Sequence, residues 1–236
     1  MPGLYGAIVD PLLSVVMPVF NERATIDEIV GRVLAVPIRK ELIVVDDCST
    51  DGTRARLVEL QQASGFRLVL QEANQGKGAA LRRGFREVSG DVVVIQDADL
   101  EYSPEEYPHL IELICQGRAD VVYGSRFIGR HRVFLFTHYL GNRLLTLLTN
   151  VLYNTMLTDM ETCYKVMRTE VLRSMTLRSD GFGIEPELTA KIFKRGYRVY
   201  EVPITYDGRG YEDGKKITWR DGIVALWVLL RYRIGE

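Results

Sequence analysis

The chain has 236 residues, 47% of them hydrophobic and 26% charged, with a formal net charge of −1. That is enough chain for one large soluble domain, and the balanced charge supplies no bulk field for nucleic acid. Three scattered cysteines (Cys48, Cys115, Cys163) without a CxxC pair, no basic-then-apolar start and no apolar run near the ~18 residues of a spanning helix lead to the expectation of a reduced, cytoplasmic protein without leader or transmembrane segment.

After a loose start, Leu13–Val19 reads as a buried strand leading into Phe20-Asn21-Glu22. Thr25-Ile-Asp-Glu28 has the form of a capping box, opening a helix whose buried stripe is Ile26, Ile29, Val30, Val33 and Leu34. Leu42–Val45 is a second strand ending in Asp46-Asp47, and the turn Cys48–Gly52 starts the next helix. Phe66–Leu70 is a third strand, followed by a helix from about Gly78 that carries Leu81, Phe85 and Val88. Val92–Ile95 is a fourth strand running into Gln96-Asp97-Ala98-Asp99-Leu100-Glu101. Ser103-Pro104-Glu105-Glu106 has the order cap, proline, acids that opens a helix, and Val121–Tyr123 is a fifth strand. Further on, Leu140–Leu157 reads as a long apolar helix, Thr162–Arg168 as a strand, Ile184–Lys194 as a helix, Arg198–Ile204 as a strand and Trp219–Ile234 as a final helix. Strand–helix alternation up to about residue 124 predicts an α/β fold, a mostly parallel sheet with helices on both faces. No repeat or linker interrupts it, so residues 1–218 are expected to form one domain and 219–236 a C-terminal helix.

Three predicted strands end in polar clusters, Pro18–Glu22, Asp46–Thr50 and Asp97–Asp99. In a parallel sheet these tips share the carboxyl edge, where open α/β sheets bind ligands. Asp46 or Asp47 suits hydrogen bonding to a base or ribose, whereas Asp97 and Asp99, with Glu101 as a third candidate, suit Mg²⁺ or Mn²⁺. Glu101 is equally well read as an exposed acid before the Ser103 cap. Asn74-Gln-Gly-Lys77-Gly78 offers Lys77 and backbone amides to phosphate, but lacks the spacing of a nucleotide-hydrolase phosphate loop and the third glycine of a dinucleotide fingerprint.

Taken together, VVMPVFNE (15–22), VVDDCSTDGT (44–53), NQGKGAALRRG (74–84), DADLEYSPEE (97–106) and YGSRF (123–127) resemble family 2 glycosyltransferases of the GT-A (nucleotide-diphospho-sugar transferase) fold. Within them the resemblance is to the dolichol- or polyprenol-phosphate mannose synthase branch and covers nearly the whole chain. It implies a GDP- or UDP-hexose donor, a divalent metal, inversion at the anomeric carbon and a polyprenyl phosphate acceptor. By the same resemblance Pro18, Phe20, Asn21, Glu22 and Asp47 line the nucleotide with Lys77 nearby, and Asp97, Ala98 and Asp99 meet metal and diphosphate. Glu101 stands where relatives often carry Gln. Arg126 falls where the family binds an anionic phosphate, which an arginine fork grips bidentately. Arg143 is a second acceptor contact or a surface charge on an apolar helix. Glu185, in Gly181-Phe-Gly-Ile-Glu-Pro-Glu187, falls where many members present a catalytic base. A hydroxyl acceptor needs that base, whereas a lipid phosphate is already anionic and leaves Glu185 to orient the sugar. Arg209 and Lys215, with Lys216, sit in a basic glycine-rich loop suited to closing over a diphosphate.

Phe134–Phe136, the 140–157 helix and Ile223–Leu230, followed by Arg231-Tyr232-Arg233, read either as interfacial surface for a lipid-linked acceptor or as faces buried on the sheet. The first alternative makes the protein peripheral on the cytoplasmic face of a membrane.

Overall fold

The computed structural model describes residues 5–132, 135–208 and 219–235. Its elements in chain order are β1 (Leu13–Val19), α1 (Ile26–Ala35), β2 (Lys40–Asp46), α2 (Thr53–Ser64), β3 (Arg67–Leu70), α3 (Lys77–Phe85), β4 (Val92–Ile95), α4 (Tyr107–Cys115), β5 (Val121–Ser125), α5 (Phe136–Tyr153), β6 (Lys165–Arg168), α6 (Thr169–Arg173), α7 (Ile184–Lys194), β7 (Val199–Pro203) and α8 (Trp219–Ile234). The seven strands form one sheet in the order β3-β2-β1-β4-β6-β5-β7. All pairings are parallel except those of β6, which runs antiparallel to β4 and β5.

The order explains where a crevice must form. From β1 the chain steps outward to β2 and β3, then returns past both to place β4 on the other side of β1. Right-handed crossovers put α1 and α2 on one face and α3 on the other, and α3 packs on β1 and β2 as that requires. Between β1 and β4 the strand order reverses, and β4 stops at Ile95, level with Val16, while β1 continues to Val19. The backbone after Ile95 therefore diverges from β1 and opens the carboxyl edge at Asp97. The continuous apolar runs of β1, β2 and β4 are those of strands covered on both faces, and each fully buried Val, Leu or Ile contributes about 1.5–3 kcal/mol.

Three local expectations are corrected. The Thr25 side chain does not close a capping box: its hydroxyl donates to the Ala98 carbonyl at 2.7 Å, tying the start of α1 to the turn that follows β4. Leu34 leaves the buried stripe of α1 and is exposed, because it stands one residue round the helix from Val33. Ser103 makes no side-chain cap; Pro104–Glu106 forms a 3-10 turn, and Arg32 donates to the Ser103 hydroxyl and to Glu105, each at 2.7 Å.

The long apolar helix runs from Phe136 to Tyr153, four residues earlier at each end than its periodicity suggested. Leu140, Leu144, Leu147 and Val151 form an exposed stripe along it, and Ile223, Trp227, Leu230 and Ile234 form another on α8. The opposite face of α8 is buried through Ala225, Val228, Leu229 and Tyr232 against α7 and α5, where the Tyr153 hydroxyl donates to the Leu229 carbonyl at 2.7 Å. Among the described residues no helix is long and apolar enough to cross a membrane.

Candidate active site

The centre of the carboxyl edge is a chain of alternating charges. Lys77, the first residue of α3, places its ammonium 2.8 Å from Asp97 Oδ1 and 3.1 Å from Glu185 Oε1. The second Glu185 oxygen accepts from Lys165 Nζ at 2.6 Å, and the same ammonium donates to the Thr162 carbonyl at 2.5 Å. Burial works against the charge on Lys77, but Asp97, Cys163 and Glu185 outweigh it and hold its pKa well above the usual range. Two glycines let this cluster form. A β-carbon at Gly78 would stand 2.3 Å from the Ser179 carbonyl oxygen, and one at Gly76, whose φ is +96°, would stand 2.6 Å from the Asp180 carbonyl oxygen. The start of α3 therefore lies directly on segment 179–181, where Ala79 donates to Asp180 at 2.9 Å, and that segment leads into α7 and Glu185.

Asp97 and Asp99 are partly exposed, and Ala98 between them is buried. Gln96 anchors the turn from beneath: its Oε1 accepts from Tyr107 and Tyr164 hydroxyls at 2.6 and 2.7 Å, and its amide donates to the Asp97 carbonyl at 2.9 Å. Leu100 follows at φ +64°, as Asn21 does after β1 (+52°) and Cys48 after β2 (+62°). Non-glycine residues in the left-handed region cost about 1–3 kcal/mol each, and strain of this kind gathers at functional edges.

The two other tips are built differently from each other. Pro18, Phe20, Asn21 and Glu22 stay half-buried along the mouth of the crevice. Asn21 Oδ1 accepts from Thr50 N at 2.8 Å, joining the loops after β1 and β2. Asp46 is fully buried and accepts from Arg54 Nε at 2.6 Å, so it braces its own turn. Asp47 accepts from the backbone amides of Gln75 and Gly76 at 2.8 and 2.7 Å and pins the loop that presents Lys77.

Arg126 lies further along the same side. Its guanidinium grips Asp159 through Nε and Nη2 at 2.7 and 2.8 Å and lies over the Tyr206 ring at 5.2 Å. Burial opposes its charge, but Asp159 outweighs burial and raises its pKa. Tyr206 donates its hydroxyl to Glu101 Oε2 at 2.6 Å, so Glu101 is drawn toward the end of β7. Arg143, exposed on α5, reaches the Thr158 carbonyl at 3.3 Å and faces the rings of Phe127 and Tyr139. Arg209, Lys215, Lys216 and Phe134 lie outside the described residues.

Among the described residues no three His, Cys, Asp or Glu side chains gather closely enough to hold a metal ion alone. The donors that are present fit one mode of binding. Asp97 and Asp99 are hard oxygen donors with access to solvent, and Mg²⁺ or Mn²⁺ is commonly held by one or two carboxylates with the remaining ligands from substrate phosphates and water.

Asp159, Lys165 and Tyr206 were not singled out from sequence. A lysine inside the apolar run Cys163–Met167 was the available signal, because a charge in a buried strand requires a partner.

The family described as "Glycosyl transferase family 2" matches residues 14–176. A dolichol-phosphate mannosyltransferase of Pyrococcus furiosus is 31% identical over 209 residues, spanning 86% of this chain; the match covers only 58% of that longer relative. A polyprenol monophosphomannose synthase of Mycolicibacterium smegmatis is 32% identical over 83% of this chain and 77% of its own length. An undecaprenyl-phosphate mannosyltransferase of Micrococcus luteus is 29% identical over 93% of this chain and 98% of its own. Among solved structures, glucosyl-3-phosphoglycerate synthase from Mycobacterium tuberculosis, in complex with Mn²⁺, uridine diphosphate and phosphoglyceric acid, aligns over 96% of this chain and 80% of its own, with TM-score 0.75 and 26% identity. The chain belongs to glycosyl transferase family 2 and has the GT-A fold.

Proposed function

We propose, from its membership of glycosyl transferase family 2, that the chain transfers a hexose from a nucleotide diphosphate sugar to a polyprenyl phosphate, with inversion at the anomeric carbon and with Mg²⁺ or Mn²⁺ on the diphosphate. GDP-mannose is the first-choice donor and UDP-glucose the second. One observation carries this reading: unlike sites lie along a single sheet edge. The Asp97–Asp99 pair and Lys77 stand at the β1–β4 crevice, and the Arg126 fork, tied back through Tyr206 and Glu101, adjoins a helix with an exposed apolar stripe. The relatives named for dolichol, polyprenol and undecaprenyl phosphates support the acceptor class. The neighbours solved with uridine diphosphate and Mn²⁺ or Mg²⁺ support a metal-assisted diphosphate site.

Each residue then has a task. Asn21, Glu22, Pro18 and Phe20 line the nucleoside side, while Asp46 and Asp47 hold the loops that shape it. Asp97 and Asp99 would hold the cation, with Glu101 beside them; when bound, such an ion neutralises the negative charge on a departing nucleoside diphosphate. Arg126 and Arg143 take the acceptor phosphate, and Arg209 and Lys215 cover the diphosphate. A phosphate nucleophile needs no proton removed, so Glu185, with both oxygens already facing lysines, orients the hexose. The exposed stripes of α5 and α8 rest on the membrane that carries the lipid.

The test is transfer of radiolabelled mannose from GDP-mannose to polyprenyl phosphate in the presence of Mn²⁺. Label should enter the lipid phase, and Arg126→Lys should lower that transfer about tenfold or more while leaving donor binding intact. No lipid-phase label from either GDP-mannose or UDP-glucose would reject the reading. A hydroxyl acceptor is the second reading, favoured by the buried acid Glu185 at the crevice. Under it, Glu185→Gln would slow turnover by about 10²–10⁴-fold.

A further inference from the structure

Glu161 lies in the connection between α5 and β6, and its backbone is fixed from both sides. Met160 N donates to the Thr146 hydroxyl at 3.1 Å, and the Thr162 hydroxyl donates to the Gly124 carbonyl at 2.6 Å. The side chain is half-buried, but its Oε1 is shut off from solvent and has no hydrogen-bond partner among the described residues. The charged groups whose fields reach it are Lys165, Glu185, Arg126 and Asp159. Both cations among them are committed elsewhere, Lys165 to Glu185 and Arg126 to Asp159. Glu161 therefore sits between the two ion-paired clusters of the edge as an acid whose partner is missing.

A buried acceptor left unmade costs free energy, and since no described residue satisfies it, a bound substrate can supply the partner. The position limits what that partner is. Thr162, next to Glu161, accepts from Lys165, which leads through Glu185 to Lys77 and the proposed diphosphate end. Asp159, two residues before Glu161, holds Arg126 of the proposed acceptor-phosphate end; the group that passes between these ends is an uncharged, hydroxyl-rich hexose. We propose that Glu161 is a substrate-contacting residue whose Oε1 accepts a hydrogen bond from a hydroxyl of the transferred hexose. This rests on the hexosyl-transfer reading above. Burial also pushes the Glu161 carboxyl up to about 7, against the pull of Lys165 and Arg126.

The experiment compares GDP with GDP-mannose, each with Mn²⁺, by calorimetric titration of the full chain carrying Glu161→Leu or Glu161→Gln. Glu161→Leu should weaken GDP-mannose binding about 10- to 100-fold and leave GDP binding unchanged. Glu161→Gln, whose amide oxygen still accepts, should stay within about tenfold of wild type. Removing an unpartnered acid should also raise the melting temperature of the ligand-free Leu variant, whereas a merely structural role would lower it. Full GDP-mannose affinity in Glu161→Leu, or equal loss of GDP and GDP-mannose binding, overturns the assignment. So does a Gln variant that binds donor normally but transfers about 10²–10⁴-fold more slowly, which would make Glu161 a proton acceptor. If wild-type protein gains nothing from the sugar of either GDP-mannose or UDP-glucose, the donor reading fails and takes this inference with it. The wild-type control separates that result from the others.

Discussion

Lys165 and Glu185 meet at 2.6 Å with the lysine side chain wholly buried and the glutamate only 4% exposed. A strand from the antiparallel part of the sheet thus supplies the counter-ion for an acid at the start of α7, and Lys77 of α3 reaches the same acid from the other side. One carboxylate joins three elements far apart in sequence.

Breaking that pair should be expensive. Lys165→Met leaves Glu185 with Lys77 alone and should destabilise the fold by about 3–5 kcal/mol, read from the urea midpoint. Adding Glu185→Gln should return part of that loss, since two buried-edge carboxylates then no longer share the single charge of Lys77. A double variant no more stable than Lys165→Met would mean that packing of the lysine stem, rather than charge, makes the difference.

Gly78 should tolerate nothing larger. With the Ser179 carbonyl 2.3 Å from the place of a β-carbon, Gly78→Ala must push α3 from segment 179–181. A stability loss of about 1–3 kcal/mol is expected. Transfer activity should fall further than stability explains, because the same shift draws Lys77 from Asp97 and Glu185. Measured at a temperature where both proteins stay folded, unchanged activity would separate the glycine contact from the site.

Glu161 makes a pH prediction with a definite sign. Its folded-state pKa of about 7 stands above its ordinary 4.5, so between those values the folded state binds more protons than the unfolded. Stability from this group is complete below about pH 4.5, falls as pH rises through 7 and is lost above it, by on the order of 2–3 kcal/mol. Asp27, Glu41, Asp51 and Asp120, whose pKa values are lowered, act in the opposite sense and below that window. The difference in urea midpoint between Glu161→Gln and wild type should therefore grow from pH 5 to 8. A difference independent of pH would mean that the carboxyl is not the titrating group.

The apolar stripes predict binding to lipid. Leu144→Glu with Leu147→Glu on α5, or Trp227→Glu on α8, alters side chains that are more than half exposed, so the fold should survive. Sedimentation with vesicles containing anionic lipid should recover wild-type protein and much less of either variant, each charge opposing insertion of an apolar face. Equal sedimentation would assign these faces to another surface.

Much of the fold could be read along the chain. Apolar runs of strand length ending in acids located β1, β2 and β4, the apolar stripe from Ile26 to Val33 located α1, and α7 spans Ile184–Lys194 as expected. The pairs Asn21-Glu22 and Asp97-Ala98-Asp99 were legible as edge chemistry because strand ends in a parallel sheet share one side. The capping pattern at Thr25 misled because a hydroxyl that suits an N-cap also suits any nearby carbonyl, and Ala98, 73 residues on, came closer.

What the sequence determined by itself was the set of residue types at the strand tips and the succession of strands and helices along the chain, since both depend on local periodicity and composition. Only the tertiary structure decided which charges meet. Asp46 and Asp47, adjacent and alike in sequence, brace different loops; Arg126 belongs to Asp159, Glu185 to Lys165 and Lys77, and Glu161 Oε1 to no described residue. The reason is physical: an ion pair is fixed by distance and by burial, and neither exists until the sheet has brought its edges together.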